Sequence, residues 1–345
     1  ASFKASEQFD SAIKSWKHLA SPRIIYYSMA DALTEKDPVM TYFKKYWDIP
    51  GRYRYPMGGT ISCSFCTATA MQDYLLANQQ DLWKRPLADR FAMAYYDLCG
   101  ASVCSNALHG CSFKDAFGRE INRNQLLSKR QLILRTLRLG HRHGKQIMLH
   151  AQRSFYPPLH GLADYFYPGE EHGSIISGNP YGYTDEISDM IWKGEFDRNV
   201  MGCAIVMCSS IGWIKPAQRK ETAPTEALLT TVLPYDIEIG SAYVNRRLTN
   251  EVFSIYDQLG IYEAKEKVSF HRFDKQREII PSDPECRISY YTMPGNKYAI
   301  VVANPSQQTR EFQVTAKDVI EKNGQLLDCR HNTPLPVSEG IFKMS

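Results

Sequence analysis

Through the first 245 or so residues, apolar runs of strand length alternate with amphipathic stretches of helical length. This alternation restricts the fold more than any other feature of the chain. Phe91-Ala-Met-Ala-Tyr-Tyr-Asp97 is one such run. Asn124 to His141 follows as the clearest helix, with Leu126, Leu127, Ile133, Leu134, Leu137 and Leu139 as its apolar content and Gly144 to end it. Lys145-Gln-Ile-Met-Leu-His-Ala151 is the next strand, and Leu162–Tyr167 another. Val200–Ser209 is apolar throughout, and Leu228–Glu238 leads into a further strand. Strands alternating with helices predict a parallel sheet. The rival fold is an open doubly wound sheet; against it, no GxGxxG follows a first strand, no GxxxxGK[ST] occurs, and the strand-end acids fit a barrel better. The expected fold class is α/β: a (β/α)8 TIM-like barrel over residues 1–262. Its first element is an amphipathic helix over residues 1–20, carrying Phe9, Ile13, Trp16 and Leu19. One strand fewer than the eight of a closed barrel is legible, and the last is expected either around Tyr53–Ser64 or before residue 1.

After Tyr262 the pattern changes. Val268–Phe273, Cys286–Thr292, Lys297–Ala303 and Thr309–Val314 are short strands separated by turns at Pro294-Gly295-Asn296 and Asn304-Pro305. That spacing predicts a small antiparallel β-sandwich domain over residues 263–345.

Carboxylates stand where barrel strands end. Asp97 closes the Phe91 run. Leu162–His172 reads LADYFYPGEEH, so a second run carries Asp164 within it and delivers Glu170 and Glu171 after a Pro-Gly turn. A buried strand has no structural need of a carboxylate at its tip, and placing one there costs desolvation unless it is paired. Two strand-end acid sites fit glycoside hydrolysis, which needs two carboxyl groups. Glu170 or Glu171 is the candidate general acid, and Asp97 or Asp164 the candidate second carboxylate. Asp236 and Glu238 form a lower-ranked rival pair. His150, Gln152 and Arg153 end the Lys145 strand as part of a polar mouth. His109 and His160 lie in loops beside strand ends, and with Tyr96 and Asp236 they complete the candidate substrate-binding set. His141 and His143 sit at a helix C-terminus, where they complement its dipole.

The net charge of +4 gives no basic footprint of the kind nucleic-acid binding needs. No segment approaches the roughly 18 apolar residues of a membrane span. Tyr 21, Phe 15 and Trp 5 supply rings that can pack a core or platform a sugar. Nine cysteines are an odd number, so at least one is unpaired within the chain. Cys63 and Cys66 form a CxxC without a second half at zinc-finger spacing. Cys104 and Cys111 flank a polar loop and are the expected local disulfide, whereas Cys203 and Cys208 read as buried thiols. His150, Asp164, Glu170 and His172 could converge on a metal, but no compact ligand motif supports this, so neither metal nor cofactor is expected. No GxSxG elbow marks an esterase.

The run YYDLCGASVCSNALHGCSFKDAFGR, the helix after it, IMLHAQRSF and ADYFYPGEEH together resemble bacterial proteins described as glycoside hydrolase family 123-like. The resemblance spans residues 85–305. It implies a barrel, a C-terminal β-domain and an N-terminal β-sandwich that this chain lacks. It also implies a secreted or periplasmic enzyme of polysaccharide degradation. Family 123 enzymes use an adjacent Asp-Glu pair with the substrate acetamido group as nucleophile. This chain has Glu170-Glu171 there instead, and its Asp185-Glu186 is predicted to open a helix. The expected function is therefore cleavage of a glycosidic bond in an oligo- or polysaccharide by paired carboxylates. The alternatives are a non-catalytic glycan-binding protein on a degenerate barrel and a metal-dependent hydrolase.

Overall fold

A computed structural model of the chain describes residues 24–52, 54–57, 60–85, 91–150, 155–197, 202–212, 215–261, 267–316, 319–320 and 325–344. The helix expected over residues 1–20, and with it Gln152 and Arg153, lies outside them. The chain divides into two compact units, Ala1–Tyr167 with Met201–Ala204, and Pro168–Val200 with Ile205–Ser345.

The first unit runs β1 (Ile24–Met29), β2 (Ala32–Thr34), α1 (Met40–Trp47), β3 (Arg54–Met57), β4 (Thr60–Ser64), α2 (Met71–Trp83) and β5 (Phe91–Asp97). It continues with β6 (Val103–Cys104), β7 (Ser112–Lys114), β8 (Glu120–Asn124), α3 (Leu126–Arg142), β9 (Gln146–Leu149), α4 (Pro157–His160) and β10 (Tyr165–Phe166). Strands β1, β5, β9 and β10 pair in parallel, with Tyr27 opposite Tyr95, Met29 opposite Asp97 and Phe166 opposite Leu149. Parallel neighbours need a crossover, and α3 supplies the one between β5 and β9. It is a helix because Leu132, Ile133, Thr136 and Gly140 recur on one buried stripe. That stripe covers one face of the sheet, where Ala94, Tyr96, Ile147 and Leu149 join Ile133, Leu82 and Trp83 in a single core. Burying one Leu or Ile there is worth about 1.5–3 kcal/mol.

The described parts of the predicted Tyr53–Ser64 strand, Arg54–Met57 and Thr60–Ser64, are not the missing parallel strand. β2, β4 and β3 form their own antiparallel sheet. The long segment after Asp97 is also structured, as a small sheet in the order β6-β8-β7.

The second unit contains α5 (Gly173–Gly178), α6 (Gly182–Asp185), α7 (Asp189–Glu195), β11 (Ala204–Met207), α8 (Ala223–Val232), β12 (Glu238–Ile239) and α9 (Arg246–Leu259). β11 and β12 are parallel. From β13 (Ser269–His271) onward every pairing is antiparallel, through β14 (Ile280–Pro281), β15 (Arg287–Met293), β16 (Lys297–Ala303), β17 (Phe312–Thr315), β18 (Leu326–Asp328), β19 (Thr333–Leu335), β20 (Val337–Ser338) and β21 (Ile341–Met344). Ile288 and Tyr290 of β15 share a core with Phe312, Val314 and Phe342 of β17 and β21, so two sheets face each other. No described helix is long and apolar enough to cross a membrane.

The expected strand from Leu228 is mostly helix. Pro224 sits in the first turn of α8, and the run after it is buried almost all round. A short run that is apolar on every side carries no period with which to tell a buried helix from a buried strand. The α/β class with parallel strands therefore stands. The described residues give four parallel strands in the first unit and two in the second.

Candidate active site

At the C-terminal edge of the first unit's parallel sheet, backbone pairing runs on past the strands. Ala30 N–H donates to Asp97 O (2.9 Å), His150 N–H to Tyr96 O (2.8 Å) and Cys99 N–H to His150 O (2.9 Å). Asp97 and His150 are thus held side by side. His150 Nδ1 lies 2.9 Å from Asp97 Oδ1 and 2.7 Å from Tyr95 Oη. A carboxylate only accepts, so Nδ1 carries the proton, and the Tyr95 oxygen shares that N–H. Tyr27 Oη donates to Asp97 Oδ2 (2.7 Å), and the Leu98 amide donates to Oδ1 (2.7 Å). Burial pushes the Asp97 carboxyl up. The His150 hydrogen bond and charge, the Tyr27 hydroxyl and the Leu98 amide outweigh it, so the carboxyl sits below its ordinary range. An acid held this way is an anion at neutral pH, suited to act as nucleophile, base or electrostatic stabiliser rather than proton donor.

Tyrosine rings surround the pair. Tyr27 stacks on Tyr95 with centroids 5.2 Å apart, and Tyr167 meets both Tyr95 and His150 edge-on. Tyr27 is 44% exposed, so this wall reaches solvent. Tyr96 faces the other way. Residues on a strand alternate, and Tyr96 is buried in the core against the helices, where burial pushes its hydroxyl far up.

The turn after Asp97 is strained and clamped. Leu98 has φ +57, a region that L residues other than Asn and Asp rarely adopt. Its carbonyl accepts from Lys129 Nζ (3.0 Å), which also donates to Gly100 O (2.7 Å) and Asp31 Oδ2 (2.9 Å). Lys129 is fully buried on α3.

Other predicted residues lie elsewhere. Asp164 precedes β10 at the opposite edge of the sheet, accepting from the Ile147 amide (2.7 Å) and lying 3.0 Å from His141 Nε2. The structure does not bring it to Asp97, and the imagined convergence of His150 with Asp164 fails with it. His160 is buried in the core, stacked on Phe166 at 4.5 Å. It accepts from the Tyr156 amide, and burial pushes it down to about 4. His109 points Nε2 at Cys104 Sγ, 3.2 Å away. The Cys104–Cys111 disulfide does not form: all nine thiols are free.

In the second unit, Glu170 and Glu171 open a single 3-10 turn, Glu170–His172. Gly169 before them has φ +113, and a Cβ there would meet the Cys208 carbonyl oxygen at 2.7 Å. Only glycine fits. Glu171, His172 and Glu195 bring their side-chain donors within 4.8 Å of one another and could hold a cation. Asp236 is not on a strand. It caps a turn at φ +57 and accepts from Tyr291 Oη (2.8 Å), so alternation with Glu238 does not apply. Asp185-Glu186 ends a helix, exposed, rather than opening one.

Sequence reading missed Tyr27, Tyr95 and Lys129. Two signals were present: Tyr95 is two residues from Asp97 and shares its face, and Lys129 falls on the buried stripe of α3.

No family model matches the chain, and no curated protein matches it. Solved structures do. An α-amylase from Lactobacillus plantarum aligns with a TM-score of 0.53 at 9% identity, over 96% of this chain and 78% of that one. A noncanonic maltogenic α-amylase, AmyB, from Thermotoga neapolitana aligns at 0.46 and 12% identity, over 93% and 74%. A GH36 α-galactosidase from Geobacillus stearothermophilus aligns at 0.44 and 8% identity, over 93% and 44%. At such identity the likeness speaks to the fold alone.

Proposed function

We propose that the chain is a glycosidase that cleaves oligo- or polysaccharides, with Asp97 as its anionic carboxylate. The observation that carries this is the Asp97–His150 pair at the C-terminal ends of adjacent parallel strands, with Asp97 held ionised by donors on both oxygens. Barrel enzymes present their chemistry at that end of the sheet. The tyrosine wall beside Asp97 suits a sugar face, and the fold likeness to an α-amylase agrees with the class. Closure of the parallel strands into an eight-stranded barrel belongs to this reading. So does location outside the cytoplasm of a bacterium, where polysaccharides are met. Glu170 or Glu171 is the proposed proton donor. The resemblance to family 123 enters at the level of glycosidase only, because an Asp-Glu pair is missing at Glu170-Glu171.

The test is turnover of chromogenic α- and β-glycosides, N-acetylhexosaminides included, and of a glycan panel. Asp97→Asn is expected to remove activity, by a factor on the order of 10³ or more for a reacting carboxylate. One of Glu170→Gln and Glu171→Gln should do the same. His150→Phe removes the hydrogen bond and charge of His150 that lower Asp97, while the Tyr27 and Leu98 donors remain, so the carboxyl rises from its lowered position. The acidic limb of the kcat/KM profile then moves to higher pH. Saturable glycan binding without turnover in any variant would instead establish a binding protein.

A further inference from the structure

We propose that Cys66, Cys104, His109 and Cys111 form a structural zinc site in the first unit. Their four donor atoms all lie within 4.8 Å of one another. Cys66 Sγ and Cys111 Sγ are 3.7 Å apart, and Cys104 Sγ and His109 Nε2 are 3.2 Å apart. A tetrahedral zinc with bonds of about 2.3 Å to sulfur and 2.0–2.1 Å to nitrogen needs sulfur–sulfur edges of about 3.8 Å and sulfur–nitrogen edges of about 3.5 Å. The sulfur–sulfur contact is far longer than the roughly 2.05 Å of a disulfide. Three thiolates and one imidazole are a soft set that favours zinc over magnesium, calcium or manganese.

The surroundings agree. All three cysteines are 0% exposed, which leaves no open position for a reacting water, so the site is structural rather than catalytic. The Ala68 amide points at Cys66 Sγ (3.4 Å) and the Asn106 amide at Cys104 Sγ (3.5 Å), dipoles that stabilise thiolate charge. Gly110, at φ +72, turns the chain between His109 and Cys111. The sequence spacing hides the site, because Cys66 lies two residues past β4 and the other three come from the segment between β5 and α3. Cys63, the other half of the CxxC, goes to a different core with Leu33, Trp47 and Phe65.

The site explains how a long segment starting at Asp97 is anchored. Among the described residues its local core is Ile49, the three cysteines and the partly buried Ala68. Asn106 Nδ2 ties the same joint to Lys45 O and Asp48 O. A metal there staples β6–β8 to the β2–β4–β3 sheet and fixes the path leading out of Asp97.

The full chain, purified under reducing conditions, is assayed for metals by mass spectrometry. It is then stripped with a chelator and refilled with cobalt. About one zinc per chain is expected, as for a closed structural site. The cobalt form should show strong thiolate-to-metal charge transfer and the visible bands of a tetrahedral site. Cys104→Ser and His109→Asn should lose the metal, whereas Cys63→Ser and Cys329→Ser should keep it. Metal-free protein whose stripped form takes up cobalt without thiolate bands would overturn the proposal, even if the cysteine variants fail to fold. So would mass mapping that finds Cys66 and Cys111 joined as a disulfide.

Discussion

Lys129→Met tests the clamp beneath Asp97. Methionine nearly matches lysine in volume, so no large cavity opens and the perturbation is the loss of the ammonium. Asp31 is 1% exposed, and its Oδ1 has no hydrogen-bond partner. Without Lys129, its remaining cation among the described residues is Arg52, at 4.0 Å. Removing one partner of a buried ion pair costs about 3–5 kcal/mol, because the other charge stays buried. The Leu98 and Gly100 carbonyls lose a donor as well, at a cost on the order of 1 kcal/mol each. Leu98 holds a conformation that costs a non-glycine residue roughly 1–3 kcal/mol, and Lys129 is among the bonds that keep it there. These contributions overlap, and a total loss of about 4–6 kcal/mol is expected, a large part of the 5–15 kcal/mol typical of a folded protein. Urea unfolding followed by circular dichroism reads it as a fall in midpoint at constant slope. Asp31→Asn combined with Lys129→Met should recover about 2–3 kcal/mol, since an amide needs no counter-charge. A single variant within about 1 kcal/mol of the parent, or a double variant no more stable than the single, would refute the reasoning.

His160 gives the fold an acid limit. Its ring is kept neutral by burial, at about 4 against an ordinary 6.5. The unfolded chain therefore binds a proton that the folded chain refuses, and stability is full above 6.5 and falls as pH drops toward 4. The loss by pH 4 is about 2–4 kcal/mol, and His160→Phe should flatten stability over that window; a slope unchanged in the variant would assign the effect elsewhere. Gly169→Ala places a methyl against the Cys208 carbonyl at a positive φ. It should cost about 2–3 kcal/mol and, through the turn carrying Glu170 and Glu171, reduce any activity, and thermal melts at parental Tm would contradict this.

Much of the local structure was legible. The helix read over Asn124–His141 is α3, because a stripe of aliphatic residues at period 3.6 has one stable solution. The runs ending in Asp97 and His150 are parallel neighbours, since apolar strands split by a helix must cross over. Where period was absent the reading failed, as at α8, whose apolar run fits a helix or a strand equally. Asp164, read within a strand as pointing into the barrel or pairing with an Arg or His, does pair with His141 but precedes the strand, for another reason. The visible run Leu162–Tyr167 contributes only Tyr165–Phe166 to the sheet, and where a strand begins decides which edge its acid joins. The turn after it could be read as a turn, but not the fact that Gly169 is pressed against the Cys208 backbone.

The sequence by itself therefore determined the α/β alternation, the antiparallel strands after residue 262 and the placing of Asp97 and His150 at strand ends, because periodicity is a local property of the chain. Tertiary structure alone decided which groups meet. Tyr27 and Asp97 are 70 residues apart, Asp31 and Lys129 98, and Cys66 and Cys111 45. Such pairs leave no local period, since they form only when separate elements pack against one another.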